Sequence, residues 1–350
     1  MKNSNVIVVF LGIIVVFLLG VVLRELSTVL LPFVIALLLS IIFKPILLYL
    51  KAKRVPVALA LFGVLLAFFL VLFLAGLILF STADSFIQEL PGYEEKLRRM
   101  LSHLMLNVET FGAQYGIATE EINWMEAIQF SSLTAGFTSI LGSFFTFLST
   151  TFLVLLFMLF ILAGSGELAE KVKGAFSSSY ADSIARMIEN TDAQVRQYLV
   201  TKTLISLGTG LITFVMLMIL GVDFALIWGF LAFLLNYIPN IGSLVAVIFP
   251  FTLSLLQFDT PLRPMLVLIL LGGTQVMMGN VLEPKIMSFN LNLSPLLILV
   301  SLIFWGWLWG IWGMILAVPL TATIKIIFEN IEPTRSLSVL MSGNPPPANA

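Results

Sequence analysis

The feature that most constrains this sequence is a series of apolar stretches, each about twenty residues long, which is the length that a helix needs to cross a bilayer. Val6–Leu23, Val55–Phe80 and Ile140–Ala163 are examples, and charged residues collect in the segments between them. With 59% hydrophobic and 11% charged residues, the composition lies far outside that of soluble domains. We therefore predict an all-α polytopic membrane protein with about eight hydrophobic helical units, including broken or re-entrant helices, and a small extracytoplasmic helical segment.

The alternation of apolar and charged stretches divides the chain into six parts. In the charged stretches, apolar residues such as Leu97, Leu101 and Leu104 recur at helical spacing, which predicts amphipathic helices. In order, the parts are transmembrane helices 1–3 (residues 1–80), an extracytoplasmic amphipathic segment (81–135), transmembrane helix 4 (136–163), a cytoplasmic amphipathic helix (164–202), a transmembrane core with broken helices that holds the pathway (203–328) and a disordered cytoplasmic tail (329–350).

The basic residues predict the orientation of the chain. When Lys and Arg are assigned to alternate sides of the predicted spans, thirteen fall on one side and five on the other, which accounts for all 18. Cytoplasmic loops of membrane proteins carry the excess of Lys and Arg. The side with thirteen, which includes both termini, is therefore predicted to be cytoplasmic. The result is the same whether residues 224–258 and 296–327 cross the membrane or re-enter, because each contributes zero or two crossings.

A polar interruption lies between two apolar stretches in the last third of the chain, and it contains Asn236, Tyr237, Pro239, Asn240 and Gly242. Proline lacks a backbone donor and clashes with the preceding turn, so a helix cannot run straight through. At membrane depth the freed backbone groups must be satisfied by protein or by a water-filled cavity. Such a break is typical of a transport site between half-helices. The alternative is a polar hairpin between two ordinary spanning helices.

A second polar group, formed by Asn280, Glu283, Pro284 and Lys285, lies where the next apolar stretch ends. Ionisable residues are costly inside a membrane. Either Glu283 and Lys285 are an interfacial pair whose charges reach water, or Pro284 breaks the helix and places Glu283 at the cytoplasmic mouth of a pathway, with Lys285 as its nearby positive charge. Asp223, at the extracytoplasmic end of the preceding span, is interpreted as a helix N-cap.

Tryptophans cluster near the C-terminal end, and the cluster comprises Trp305, Gly306, Trp307, Trp309, Gly310 and Trp312. Tryptophan is enriched at membrane interfaces, which predicts that this stretch lies at the membrane surface. Alternatively, the spacing of Gly306 and Gly310 permits close helix approach. In that case Trp305 and Trp307 line a gate.

The residue counts exclude several classes of function. The chain has no cysteine and one histidine, so it cannot form a thiolate or multi-histidine metal site. With 18 Lys+Arg against 19 Asp+Glu, it offers no basic surface for nucleic acid. A Gly-x-x-x-x-Gly-Lys-Ser/Thr phosphate-binding loop is absent from the sequence. We predict that the chain is not an enzyme and needs no cofactor or metal.

Several longer stretches resemble the autoinducer-2 exporter family of inner-membrane transporters. These are Phe233–Ser243, Gly279–Met287, Leu293–Leu297, Ser301–Leu308 and Gly313–Thr321. Their order and spacing match the family as well, and the resemblance covers nearly the whole chain. The residues of these motifs are most similar to those of the branch named for transport of the quorum-sensing signal.

The resemblance implies a bacterial or archaeal inner-membrane protein that forms homo-oligomers, with pentamers suspected. It implies export or facilitated passage of a small polar molecule such as the quorum-sensing signal autoinducer-2. The alternative is a Na⁺(Li⁺)/H⁺ antiporter that uses a membrane-embedded carboxylate. Carried over by position, the family's pathway residues fall on the polar break and on the group around Glu283. The expected partners are a small polar solute or a monovalent cation and proton, the lipid bilayer and further copies of the chain.

Overall fold

A computed structural model describes residues 14–15, 18–114, 144–164, 174, 178–287 and 292–343. Within them the regular elements are helices, and a single isolated β-bridge joins Leu293 to Ser342. By length and composition, six of the described helical stretches could cross a membrane, and two shorter apolar helices accompany them. One of the six, Leu262–Ile286, includes a π-helical segment, and another, Pro295–Asn330, is broken at Trp309 and Gly310. The predicted all-α polytopic fold is therefore confirmed. The first half of the first predicted span, residues 115–135 of the extracytoplasmic segment and the triple-proline tail lie outside the described residues.

Short connections separate the described helices, except where residues 115–143, 165–173 and 175–177 lie outside the described residues. The helices are α1 (Ser27–Ala52), α2 (Val57–Gln114), α3 (Phe144–Gly164), α4 (Ser178–Leu220), α5 (Ala225–Leu235), α6 (Ile241–Gln257), α7 (Leu262–Gln275), the π-helical segment Val276–Leu282, α8 (Glu283–Ile286), α9 (Pro295–Asn330) and α10 (Arg335–Leu340). Residues 18–25 are also helical and lead into α1 through Leu26, where the backbone bends (φ −83°, ψ 7°) while Leu26 N still donates to Val22 O.

Two parts of the core are helical hairpins. A Cβ placed on Gly242 would lie 1.8 Å from the carbonyl oxygen of Leu235, and one placed on Gly313 would lie 1.8 Å from that of Trp305. In a continuous helix, residues seven or eight apart are about 11–12 Å apart, so the chain must reverse between them. Asn240 (φ 61°) and Gly310 (φ 62°) adopt the left-handed backbone at the two turns. We call residues 225–257 hairpin 1 and residues 295–330 hairpin 2.

Helix α4 is the element against which hairpin 1 packs. Gly210 of α4 and Gly229 of α5 meet so closely that a Cβ on Gly210 would lie 2.7 Å from the Gly229 carbonyl oxygen. Small residues allow helix backbones to approach in this way inside membranes, where packing replaces the hydrophobic drive. The turn of hairpin 1 also contacts hairpin 2, because Ile238 is buried in one cluster with Leu302 and Ala317. The turn of hairpin 1 therefore packs against the two arms of hairpin 2.

On the opposite side of hairpin 1, a polar cluster ties its two ends to α2. The 58-residue helix α2 continues from its apolar half into the charged segment. There the Tyr93 hydroxyl donates to Asp223 (2.5 Å), and Lys96 donates to the carbonyl oxygen of Gln257 (3.1 Å). The Gln257 amide oxygen in turn accepts from the Asp223 backbone N–H at 3.0 Å.

The interpretation of Asp223 as a helix N-cap is wrong. The N-cap position of α5 is Phe224, which has left-handed backbone angles and no side-chain cap. The Asp223 carboxylate accepts from Tyr93 instead. Burial, followed by this hydrogen bond, raises the pKa of Tyr93 above its ordinary value. The sequence pattern did not indicate this contact because Tyr93 and Asp223 are 130 residues apart.

We predict that Tyr93 contributes a pH-dependent part of the stability. The folded protein holds the Tyr93 proton more firmly than the unfolded chain does, so its contribution is complete below pH 10.0, the ordinary tyrosine pKa, and is lost as the pH rises beyond it. Thermal unfolding in detergent should show a smaller loss of stability above that pH for Tyr93→Phe than for wild type. Tyr49→Phe, at an exposed position (60%), is the control and should match wild type.

A second prediction concerns the turn of hairpin 2. Gly313→Ala would place a methyl group against the Trp305 carbonyl and should destabilise the protein by at least the roughly 1–3 kcal/mol typical of overpacking. Gly272→Ala is the matched control, because a Cβ on this helical glycine would meet no atom within 4 Å. Melting temperatures by fluorescence-detected size exclusion would decide the matter, and equal values for both variants would refute the hairpin geometry.

Candidate functional site

The candidate site is built on a polar face of α4. Lys202, Ser206, Thr209 and Thr213 recur at spacings of four, three and four, which places them on one side of the helix. All four are buried, with exposed fractions of 4%, 0%, 0% and 2%. Buried polar groups must find partners inside the protein. Thr209 donates to the carbonyl of Ile205 in its own helix (2.9 Å), whereas Lys202 and Ser206 bind other elements.

The polar break of hairpin 1 is hydrogen-bonded to this region of α4. The Asn236 amide donates to the Ser206 hydroxyl at 2.9 Å, and the Tyr237 hydroxyl donates to that of Thr203 at 2.7 Å. Asn236 is buried (8% exposed). The two side chains stand at the last turn of α5, where the helix stops before Pro239. The break therefore faces protein rather than forming an exposed polar loop.

The second element at the site is the end of α7. Residues Val276–Leu282 form a π-helix, and π segments frequently accompany functional sites. Pro284, two residues after the end of this segment, cannot donate a backbone hydrogen bond. Glu283 stands between the two and accepts from the Lys202 ammonium at 2.6 Å. Tyr198, one turn before Lys202, lies near enough to interact electrostatically with Glu283 and Tyr237.

The Lys202–Glu283 pair differs from the expectation for Glu283. Lys285 was expected to be its nearby positive charge, but Lys285 is exposed and the ion pair of Glu283 is with Lys202, 81 residues earlier. The side chains of Lys202 and Glu283 are 5% and 22% exposed, and both residues belong to helices that can span the membrane. Glu283 therefore does not form the expected interfacial pair with Lys285, in which both charges would reach water.

The structure brings together only part of the predicted pathway set. Asn236, Tyr237 and Glu283 converge on α4, and Pro239 and Gly242 shape the turn of hairpin 1. Two other residues of the predicted polar groups, Asn240 and Asn280, have exposed side chains. Asn240 occupies the left-handed turn position, and Asn280 lies within the π segment.

Lys202, Thr203 and Ser206 were not among the predicted site residues. Lys202 was treated only as one of the cytoplasmic basic charges. The signal that could have found them is the recurrence of Lys202, Ser206, Thr209 and Thr213 on one face of an otherwise apolar helix. Such a face needs polar partners inside the protein.

The tryptophan cluster forms the turn of hairpin 2. The Trp305 indole donates to the Thr321 hydroxyl across the hairpin at 3.2 Å, and a Cβ on Gly306 would lie 2.9 Å from Met314 Cγ. Gly310 supplies the left-handed turn. Trp307 is 44% exposed, and the Arg24 guanidinium lies 5.4 Å from the centroid of its ring. The close approach therefore involves Gly306 and Gly313 within one hairpin, and not a Gly306–Gly310 face.

The chemistry available at the site is hydrogen bonding and charge pairing. Hydroxyl, carboxamide and phenol groups surround one carboxylate and one ammonium. Among the residues that the structure describes, no group of three or more His, Asp or Glu side chains is placed to hold a metal ion. The arrangement can bind a polar solute or exchange a small ion.

Broken helices whose polar breaks are buried beside other spans are the architecture of membrane transport proteins. Sequence comparison agrees with this class. A family model described as AI-2E family transporter matches residues 11–332, and the chain belongs to this family.

Individual relatives cover most of the chain. The AI-2 transport protein TqsA of Escherichia coli (strain K12) is 35% identical over 306 residues, which is 87% of this chain and 86% of TqsA. A Haemophilus influenzae protein whose name describes a candidate transport protein and gives no substrate is 35% identical over 309 residues, 87% of each chain. The E. coli protein YhhT, named in the same terms, is 31% identical over 273 residues, 77% of this chain and 75% of YhhT.

We predict that Ser206 and Asn236 stabilise the site as a unit. Ser206→Ala leaves the buried Asn236 amide without its partner and should cost about 1–3 kcal/mol. Asn236→Leu added to Ser206→Ala should cost less than the sum of the two single changes, because contacting residues are energetically coupled. Ser301→Ala is the control, since this buried hydroxyl donates to Ile298 O within its own helix. Additive effects in thermal unfolding would refute the contact.

Proposed function

We propose that this chain transports a small, uncharged, hydroxylated molecule of the autoinducer-2 type across the bacterial inner membrane, by export or facilitated passage. The observation that carries the proposal is the hydrogen-bonding of the hairpin 1 break to α4 through Asn236–Ser206 and Tyr237–Thr203. The similarity to TqsA, which is named for AI-2 transport, supports this substrate class.

The bonds at the break suit a solute that must bind and leave again. Each joins two uncharged groups, and a net neutral hydrogen bond is worth only about 0.5–1.5 kcal/mol. Hydroxyl groups of a solute can replace Ser206 or Thr203 as partners of Asn236 and Tyr237 with little net loss of hydrogen bonding. The hairpin can then leave α4 without exposing unpaired polar groups to an apolar environment.

The proposed orientation has both termini in the cytoplasm. It rests on the excess of Lys and Arg on one side. Contacts between residues distant in sequence join segments that this count assigns to the same side. Lys44 contacts Asp192 and Lys202 contacts Glu283 on the cytoplasmic side, and Tyr93 contacts Asp223 on the other side. Attachment of a membrane-impermeant label to single cysteines, which the chain otherwise lacks, would test the assignment at each end.

Assembly into homo-oligomers, with five copies suspected from the family, is part of the proposal. Supporting it, the charged part of α2 carries large apolar side chains at its surface, with Met100 42% and Leu106 57% exposed. Apolar groups on a helix outside the bilayer are commonly covered by a partner. Native mass measurement in nanodiscs would test this, and a monomer would argue against it.

The second candidate function is a Na⁺(Li⁺)/H⁺ antiporter. The observation that favours it is Glu283, a carboxylate that is 22% exposed within a helix able to span the membrane. Coupled antiport requires this group to alternate between proton and cation. The Lys202 ammonium already compensates its charge at 2.6 Å, and for this reason we rank the antiporter second.

The proposal predicts uptake of labelled autoinducer-2 into proteoliposomes that contain the purified chain. Asn236→Leu removes a polar partner at the break and should slow uptake about tenfold or more, corresponding to roughly 1.4 kcal/mol. Ser243→Ala, a hydroxyl that donates to Asn240 O of the same turn, is the control and should transport like wild type. Equal uptake rates in protein-free vesicles and in vesicles that contain the chain would reject the substrate class.

The same vesicles can test antiport. With a pH-sensitive dye inside and an imposed Na⁺ or Li⁺ gradient, we expect no cation-dependent proton flux from wild type. Glu283→Gln alone is a poor control because it leaves the buried Lys202 ammonium unpaired, which is strongly destabilising. Lys202→Met with Glu283→Gln removes both charges and is the suitable comparison. Wild-type flux that disappears in this double variant would establish the antiporter.

A further inference from the structure

Lys202 occupies the position at which a coupling ion would bind Glu283. Its ammonium lies 2.6 Å from the carboxylate, and its side chain is only 5% exposed. Tyr198 on α4 interacts electrostatically with both Glu283 and Tyr237, and Lys285 follows Glu283 by two residues on the same short helix. The two tyrosines are uncharged at neutral pH, and Lys285 is exposed. The positive charge in direct contact with Glu283 is therefore that of Lys202.

The position of Lys202 connects this pair to the proposed pathway. Thr203 and Ser206, which bind the break of hairpin 1, lie one and four residues further along α4. Glu283 directly follows the π segment, and a Cβ on Gly208 of α4 would lie 3.2 Å from Met278 of that segment. The ion pair thus stands beside the contacts that a passing solute would replace.

We propose that Lys202 is a fixed counter-charge that takes the place of a proton or alkali cation on Glu283, so that the solute moves without ion coupling. The inference rests on the proposed transport of an uncharged solute. A lone carboxylate in this setting must be neutralised, because burying an unpaired charge is costly. When the ammonium is removed, Glu283 takes up a proton or a cation from solution, to which its 22% exposed side chain has access.

The test is the dye-loaded vesicle assay with an imposed Na⁺ or Li⁺ gradient, applied to variants of Lys202. Lys202→Met and Lys202→Gln should gain cation-dependent proton flux several-fold above the background of protein-free vesicles, where wild type should remain. Lys202→Gln retains a hydrogen-bond donor for Glu283 but not the charge, so it separates charge from shape. Lys202→Arg keeps the charge and should stay at the wild-type level. Lys202→Met with Glu283→Gln should lose the gained flux.

A second measurement needs no vesicles and covers the case in which the methionine variant fails to insert. A cation that binds the folded protein raises its melting temperature by mass action. In detergent, Na⁺ or Li⁺ in place of choline should raise the melting temperature of Lys202→Gln by a few degrees. The same exchange should leave wild type and the double variant unchanged. A merely structural role for Lys202 predicts lower stability without any cation dependence.

The outcomes separate this inference from the proposed function. No flux and no cation-dependent melting shift in the folded Lys202→Gln variant would overturn the counter-charge role. Cation-dependent flux in wild type that Lys202→Gln abolishes would also overturn it, because Lys202 would then be part of ion coupling. Uptake of labelled autoinducer-2 by wild type is measured independently, so failure of the substrate class leaves the ion result interpretable.

Discussion

The core of this structure depends on the need of polar groups within apolar helices to find partners inside the protein. Lipid offers no hydrogen bonds, so each polar side chain at this depth has to be satisfied locally. Among the described residues, no buried side-chain nitrogen or oxygen lacks a partner. Helix α4 provides for this at the site: Lys202 binds Glu283 at the start of α8, and Thr203 and Ser206 bind the turn of hairpin 1. Helix α4 thereby holds two separate helix breaks in place, the turn of hairpin 1 and the π-helical segment before Glu283.

These contacts differ in how readily they exchange. The bonds from Asn236 and Tyr237 join neutral groups and can be replaced by solute hydroxyls at low cost. The Lys202–Glu283 contact joins two charges, and leaving either one alone is costly. The ion pair is therefore suited to stay in place while the neutral bonds open and close. This division fits a carrier of uncharged molecules better than an ion exchanger, in which the carboxylate itself must change partners.

The sequence was sufficient to predict the helical fold and the break at Pro239, because these depend on local patterns: apolar runs and a missing backbone donor. The partner of Glu283 was not predictable in this way. Periodicity shows that Lys202 and Ser206 share a face, but it does not show which element covers that face, 81 residues later in the case of Glu283. Residues 296–327 were predicted to contribute zero or two crossings, which implies a reversal of the chain, but local patterns did not indicate that Gly310 would take the left-handed turn position.

The turn of hairpin 1 has two unlike faces, and this governs how a solute can act on it. Asn236 and Tyr237 face α4 with hydrogen bonds, whereas Ile238 is packed with Leu302 and Ala317 of hairpin 2. A hydroxylated solute competes for the polar face and gains nothing from the apolar one. Under the proposed function, binding would loosen hairpin 1 from α4 while its contact with hairpin 2 persists. A bulky apolar molecule lacks the groups to replace the α4 contacts, so the same geometry would favour small polar solutes.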